Sequence, residues 1–380
     1  MTATGALLTM IGLIAALMAR VGVARAARGG GVAGHLARLL TLIALLLALR
    51  LTGLALPSAL VVAVTMTVAA WLPLVTLRLA EELVRRHAPR WLKLVALAGA
   101  GAFSMLAVTF GLVWTGAAIV ALALFQAVVV GAVLLHLTRE RASVALAERR
   151  AVDMLSLAFG IGIPLLATDF AWAFPDLPFR GGPFAALVFV LACSRLAAQG
   201  ASRPLRLLGD LAVMAGAGGL AALGCQIAAA PAGLTLSLAA TGSAVAALVL
   251  LAERFADPAA REETMLAPIS RAAPDEAAIL AAHPLLSGGV PLNAAALADL
   301  PDDLIGALAE RPVVTAASET GGDLKLAGAA QELLGRFGAS HLLRLSQHPP
   351  RFLAISGGAL DQERLTRELT IVARLLERAP

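Results

Sequence analysis

The chain has 380 residues, 59% of them hydrophobic and only 14% charged, and a formal net charge of +5. It is far more apolar than a typical soluble protein and carries about half the usual charged share. The positive balance does not indicate nucleic acid, because the arginines lie mostly between apolar stretches, where orientation relative to a membrane explains them. Tyr is missing and Lys occurs only at Lys93 and Lys325, a usage that fits a GC-rich bacterial genome. Cys193 and Cys225 fall inside apolar stretches with neither metal-ligand spacing nor the pattern of a disulfide framework. The first apolar stretch lacks a basic start, so a cleaved signal peptide is not expected.

Crossing the hydrocarbon core takes about 20 mostly apolar residues, and about nine such stretches follow one another. They run Thr4–Ala24, Leu36–Leu56, Ser58–Ala80, Trp91–Trp114, Gly116–Leu137, Met154–Phe174, Pro183–Gln199, Leu207–Ala228 and Gly233–Ala252. The second and third are nearly fused, and Pro57 between them fits a short hairpin turn. Arginines cluster after every odd-numbered stretch. They are Arg20, Arg25, Arg28 and Arg38, then Arg78, Arg85, Arg86 and Arg90 with Lys93, then Arg139, Arg141, Arg149 and Arg150. Arg195, Arg203 and Arg206 follow the seventh stretch, and Arg254 and Arg261 the ninth. The alternate connections are short and almost uncharged, apart from Asp176 and Arg180, which offset each other. Basic loops stay on the cytoplasmic side. The expectation is an α-helical polytopic bundle over residues 1–255 in a bacterial inner membrane, with its N-terminus outside and the remainder of the chain in the cytoplasm. Trp114, Trp172 and Phe174 fall at expected outer ends and Trp91 at a cytoplasmic end, as an aromatic belt would place them.

Polar residues at membrane depth are unfavourable and ask for a partner or a cavity. Arg50 lies late in the second stretch and Asp169 late in the sixth, opposite in sign and similar in expected depth. The two are candidates for an intramembrane ion pair lining an outward-facing cavity; the alternatives are a purely structural pair or each residue snorkelling to the interface alone. Asp210, early in the eighth stretch and beside Arg203 and Arg206, reads as a carboxylate suited to a helix N-terminus. Gln126 and His136 share the fifth stretch; a lone His without partners makes no haem or metal site. No cofactor is expected, and no Lys sits mid-span to form a retinal Schiff base. Pro73 and Pro164 would kink their helices and free carbonyls, which neighbouring helices must accommodate. The runs Gly99–Ala102 and Gly216–Gly219 suit close helix contact.

After Phe255 the composition changes to that of a soluble domain. Residues 256–292 hold several prolines and glycines and read as a linker with one short helix near Asp275–Ala282. Residues 293–380 read as a compact α+β domain. A helix is expected over Asn293–Glu310 and a strand over Pro312–Ala317, followed by a turn at Glu319–Asp323. The amphipathic Leu326–Phe337 stops at Gly338. The strands His341–Ser346 and Arg351–Ser356 make a hairpin around Gln347–Pro350, and Leu360–Arg378 is a final helix with a broad apolar stripe.

The order helix–strand–helix–strand–strand–helix, with ELLGRFGASHLLRLS passing from helix to strand and RFLAISGG forming the next strand, resembles a reduced GAF-type sensory domain. Multi-span bacterial sensor kinases look similar, with a membrane input region followed by such a domain. The chain departs from them after Pro380, where no phosphoacceptor segment or ATP-binding box follows, and kinase activity is not expected. Asp302 and Asp303 are adjacent and point different ways on a helix, so they form no acid–base pair. Ser356-Gly357-Gly358 is too short for a phosphate cradle.

These features lead to the expectation of a membrane sensor or scaffold that relays a membrane or ligand signal to a separate cytoplasmic partner. The alternative is a transporter or channel component with a regulatory tail. No catalytic constellation is visible in the sequence. The expected partners are the lipid bilayer and a cytoplasmic signalling protein, and the final helix, Leu360–Arg378, could pair with a second copy or serve only its own domain.

Overall fold

The computed structural model describes residues 3–26, 31–84, 86–109, 116–141, 146–169, 174–175, 177, 179–199, 204–256, 265–315, 324–355 and 362–378. Several sequence features lie outside the described residues: Trp114 and Trp172 of the belt, Arg28, Arg85, Arg203, Arg261 and Asp176, the turn Glu319–Asp323, and Ser356-Gly357-Gly358. The chain separates into two compact units, one of Met1–Ala142 with Arg150–Asp257, the other formed chiefly by Pro258–Pro380.

The first unit is helical: α1 (Ala3–Ala26), α2 (Gly31–Ala55), α3 (Ala59–Val84), α4 (Arg90–Val108), α5 (Gly116–Glu140), α6 (Leu146–Ala167), α7 (Gly182–Gln199), α8 (Pro204–Ile227) and α9 (Ala232–Ala256). Eight of them are long and apolar enough to cross a membrane; α7 is the shorter apolar helix. The sixth helix starts earlier than the apolar stretch alone suggests. Glu148, Arg149 and Arg150 are good helix formers, so the helix runs on past the apolar edge. It also ends earlier, leaving Thr168 and Asp169 in the turn beyond it.

The distribution of burial indicates what surrounds these helices. The most apolar of the eight, α5, has only 17% of its apolar window buried within the protein. In water that face would be hidden. Here Leu124, Val128 and Leu135 stay exposed, as do Met105 on α4 and Leu220 on α8, which is the behaviour of a surface solvated by lipid tails. Helix α7 is the opposite case. From Gly182 to Leu196 every residue is buried except Phe184 and Arg195, which are half-buried. It is packed by α1, α2, α8 and α9, and by α6 through Phe159 against Phe189 at 5.5 Å. Its 18 residues span about 27 Å, and a helix wrapped in protein need not match the bilayer thickness.

Close approach is made by particular small residues. A Cβ on Gly218 would meet Ser243 Oγ at 2.3 Å, and one on Gly242 would meet the Ala217 carbonyl at 3.2 Å, so α8 and α9 touch backbone to backbone. Gly99 admits the Phe125 ring, which a Cβ would meet at 2.1 Å. By contrast Gly101, Gly216 and Gly219 face nothing within 4 Å. Only part of each glycine run is therefore a packing face.

The second unit contains α10 (Leu266–Ile269), α11 (Glu276–Ala281), α12 (Pro284–Ser287), β1 (Val290–Leu292), α13 (Ala294–Leu297), α14 (Asp302–Ala309), β2 (Val313–Thr315), α15 (Leu324–Arg336), β3 (His341–Ser346), β4 (Arg351–Ile355) and α16 (Gln362–Leu376). The four strands form an antiparallel sheet in the order β1-β4-β3-β2. Alternate residues of β3 and β4 enter two different cores. Leu342, Phe352 and Ala354 pack with α14 and α15. Leu343, Leu345, Leu353 and Ile355 pack with Leu369, Val372 and Leu376 of α16 and with Met265, Ile269, Ile279 and Leu286.

This corrects the reading of 256–292 as a linker. From Met265 onward it supplies an edge strand and five core residues, Met265, Ile269, Ile279, Leu286 and Leu292, and the domain begins well before Asn293. The expected helix Asn293–Glu310 is in fact two. Pro301 disfavours helical geometry at Leu300 and opens α14, while Asn293 caps α13 by accepting the Ala296 N–H. The stop after α15 is as expected: Gly338 takes φ +58°, and the Ala339 N–H reaches back to the Leu334 carbonyl at 2.9 Å.

Candidate functional site

Among the described residues of the helical unit, three clusters of charged and polar side chains stand out. The first contains the candidate pair. Arg50 Nη1 lies 2.8 Å from Asp169 Oδ2, and the two side chains keep 23% and 22% exposure. Asp169 also accepts the Gly182 N–H at 2.8 Å, and Thr168 Oγ1 accepts that of Gly181 at 2.8 Å. The turn after α6 is thereby tied to the start of α7 and to α2. Glycine is needed at Gly181, where a Cβ would meet the Leu165 carbonyl at 2.2 Å; at Gly182 a Cβ would displace the ion pair itself, meeting Asp169 Oδ2 at 2.5 Å and Arg50 Nη1 at 2.6 Å. One carboxylate oxygen thus faces a guanidinium and the other accepts from a backbone amide.

The second place centres on Asp210, only 4% exposed. The sequence places it near Arg203 and Arg206, but its partners come from other helices. Arg195 of α7 reaches it with two hydrogen bonds, Nε to Oδ2 at 3.0 Å and Nη2 to Oδ1 at 2.6 Å. Arg254 of α9 approaches Oδ1 at 2.5 Å and donates to Ser194 Oγ at 2.8 Å. One buried carboxylate so joins α7, α8 and α9. A sequence signal did exist: Arg195, grouped above with the arginines that follow the seventh apolar stretch, lies just inside its end at Gln199, where a guanidinium needs a partner.

The third place lies where α2 begins and α3 ends. Glu81, 7% exposed, accepts from Lys93 Nζ at 2.6 Å and from the Ala88 N–H at 2.8 Å, with Arg78 at 3.4 Å. Arg86 pairs with Glu140 of α5 at 2.9 Å. Beside them is a cavity of about 530 Å³, lined chiefly by Arg38, Arg78 and Arg86 and by His35 and His87, with Glu81 and Glu82. Arg38 is exposed and has no hydrogen bond or ion pair among the described residues.

Other sequence-flagged residues have structural partners. Gln126 Nε2 donates to the Ala69 carbonyl at 2.7 Å, and Trp71 Nε1 to Ser104 Oγ at 3.0 Å. The His136 Nε2 atom is buried without a hydrogen-bond partner among the described residues. Cys193 and Cys225 are free thiols. Among the described residues no group of three His, Cys, Asp or Glu is placed to hold a metal ion.

In the second unit Asp302 and Asp303 are exposed in the first turn of α14, where their charge favours the helix N-terminus. His341 is fully buried, with Nδ1 2.8 Å from Ser340 Oγ and Nε2 3.0 Å from Thr366 Oγ1. Arg344 donates to the Ala309 carbonyl at the end of α14 at 2.6 Å and pairs with Glu377. On α16 the stripe divides: Leu369, Val372 and Leu376 are buried, while Ile371 and Leu375 are exposed at 44% and 40%. No known protein family, curated protein or solved structure matches the chain.

Proposed function

We propose that the chain is a multi-pass sensory or scaffold protein of a bacterial inner membrane, with its N-terminus outside and its C-terminal domain in the cytoplasm. In this reading the domain is a reduced GAF-like module that passes a change in the helical bundle to a separate partner. The alternation of arginine-rich and bare connections supports the orientation and requires α7 to cross as well, for a ninth passage.

The observation that carries the relay is the Asp210 junction. Arg254 sits in the last turn of α9, the helix whose chain continues into the C-terminal domain, and is held there by groups on α7 and α8. A rearrangement at α7, the innermost helix, therefore has a direct mechanical route to the segment leading out of the membrane. The exposed Ile371 and Leu375 are the residues of α16 that a partner or a second copy would cover. The transport reading has less support, because Arg50, Asp169, Asp210 and Glu81 are all engaged with one another or with neighbouring helices.

The test is hydrogen exchange of the full chain in lipid nanodiscs. Asp210→Asn is expected to speed exchange across 265–378 as well as at α7, α8 and α9, which the carboxylate joins, with α3, α4 and α5 unchanged. Unaltered exchange in the C-terminal domain would refute the relay. Protein-dependent solute flux in sealed vesicles would favour transport instead.

A further inference from the structure

The geometry points to the cavity between α2 and α3 as a binding site for a phosphate-bearing ligand. Three guanidiniums converge on it from separate places: Arg38 two turns into α2, Arg78 near the end of α3, and Arg86 in the connection that follows. Two imidazoles, His35 and His87, complete the basic lining. Arginine forks match the oxygens of phosphate, and several around one hollow give the multidentate hold that a single surface arginine lacks.

The carboxylates present do not cancel this set. Glu81 is already held by Lys93 and the Ala88 N–H, with Arg78 farther off at 3.4 Å, and Glu140 by Arg86. Counting Lys93 and Glu140 with the lining, four permanent cations face three carboxylates, before either imidazole takes a proton. Arg38 has no partner of its own among the described residues. A volume of about 530 Å³ exceeds the needs of a bare anion and suits a phosphate carrying an organic substituent.

The position restricts the source of that phosphate to two. The cavity is at the ends of apolar helices, on the side where arginines gather, and this is the depth of lipid headgroups. A lipid phosphate would enter from the leaflet and a soluble phosphate ester from the aqueous side. The same residues would hold either one, and the inference does not depend on the relay proposed above.

The experiment uses the full chain in dodecyl maltoside micelles, which carry no phosphate, with thermal unfolding and native mass spectrometry as readouts. One arm adds glycerol 3-phosphate at millimolar concentration. The other adds phosphatidylglycerol to the micelles. Stabilisation and a retained adduct in the first arm identify a soluble ester as ligand, and in the second a headgroup. In the productive arm Arg38→Gln is expected to weaken binding about tenfold, and Arg78→Gln similarly. Arg139→Gln, which removes an exposed arginine outside the cavity lining, should bind as the native chain does. Arg38 has no structural partner to lose, so loss of fold is not a concern for that variant. The site is ruled out if neither arm stabilises the native chain, or if Arg38→Gln and Arg139→Gln behave alike.

Discussion

Gln126 supplies what Pro73 takes away. Proline has no N–H, so the Ala69 carbonyl one turn earlier in α3 loses its helical donor. The Gln126 side chain of α5 donates to that oxygen at 2.7 Å. The proline and the polar residue, two unrelated features of the sequence, thus meet in one hydrogen bond between α3 and α5. Gln126→Leu should cost about 1 kcal/mol, the usual scale of an interhelical hydrogen bond in a membrane. In a Pro73→Ala background the helix restores its own donor, and the cost of Gln126→Leu should largely vanish. A double-mutant cycle on the thermal midpoint of the detergent-solubilised chain checks this, and zero coupling would sink it.

The junction around Asp169 predicts an asymmetric charge swap. Arg50→Asp alone leaves two carboxylates facing each other and should impair assembly. Adding Asp169→Arg restores opposite charges but leaves the Gly182 N–H without its acceptor. Rescue of folded yield should therefore be partial. Full rescue would show that the amide contact contributes nothing, and no rescue would show that the ion pair does not matter. Gly182→Ala should destabilise by about 1–3 kcal/mol through the crowding a Cβ would bring.

The contact between α8 and α9 gives a paired test. Gly218→Ala places a Cβ against Ser243 and the Ala239 carbonyl and should lower the thermal midpoint. Gly219→Ala, one position on, meets nothing within 4 Å. It should be neutral or stabilising by up to about 1 kcal/mol, since alanine favours a helix over glycine. Equal effects at the two positions would contradict the packing described.

His283 gives the C-terminal domain a dependence on pH. Burial pushes its imidazole below the ordinary value, with the Glu368 carboxylate opposing. Its Nδ1 accepts the Leu285 N–H at 3.2 Å, a role only the unprotonated nitrogen can fill. The unfolded chain therefore takes up this proton more readily than the folded one. The stabilisation is complete above the unfolded-state value of about 6.5 and is lost as pH falls through it towards the lowered folded value. His283→Asn keeps a capping acceptor that does not titrate. Thermal melts of the domain within the full chain, between neutral and mildly acidic pH, should show a shallower loss for His283→Asn than for the native residue.

Much of the architecture could be read from the residue pattern because its physics is local. Long apolar stretches make helices, arginines mark their ends, and Gly338 stops α15 through its own backbone freedom. The hairpin of β3 and β4 was legible for the same reason, through alternation on either side of a proline-containing turn. What escaped depends on partners far along the chain. The Asp210 junction joins residues 15 and 60 positions apart. Strand β1 has three residues, one of them Pro291, and nothing local marks it as a strand; only its place at the sheet edge beside β4 lets a proline reside there. The candidate pair Arg50 and Asp169 was suggested by matching depth and opposite sign, but its anchoring to the Gly182 backbone required the fold.

The short helices before β1 carry a practical consequence. A fragment beginning at Asn293 would lack the edge strand and the side chains of Met265, Ile269, Ile279 and Leu286. One side of the hairpin, with Leu343, Leu345 and Leu353, would then lose much of its cover and face water. Such a fragment should be insoluble or aggregate through its bared strands. Anyone excising this domain for crystallography or partner screening should place the cut upstream of Met265.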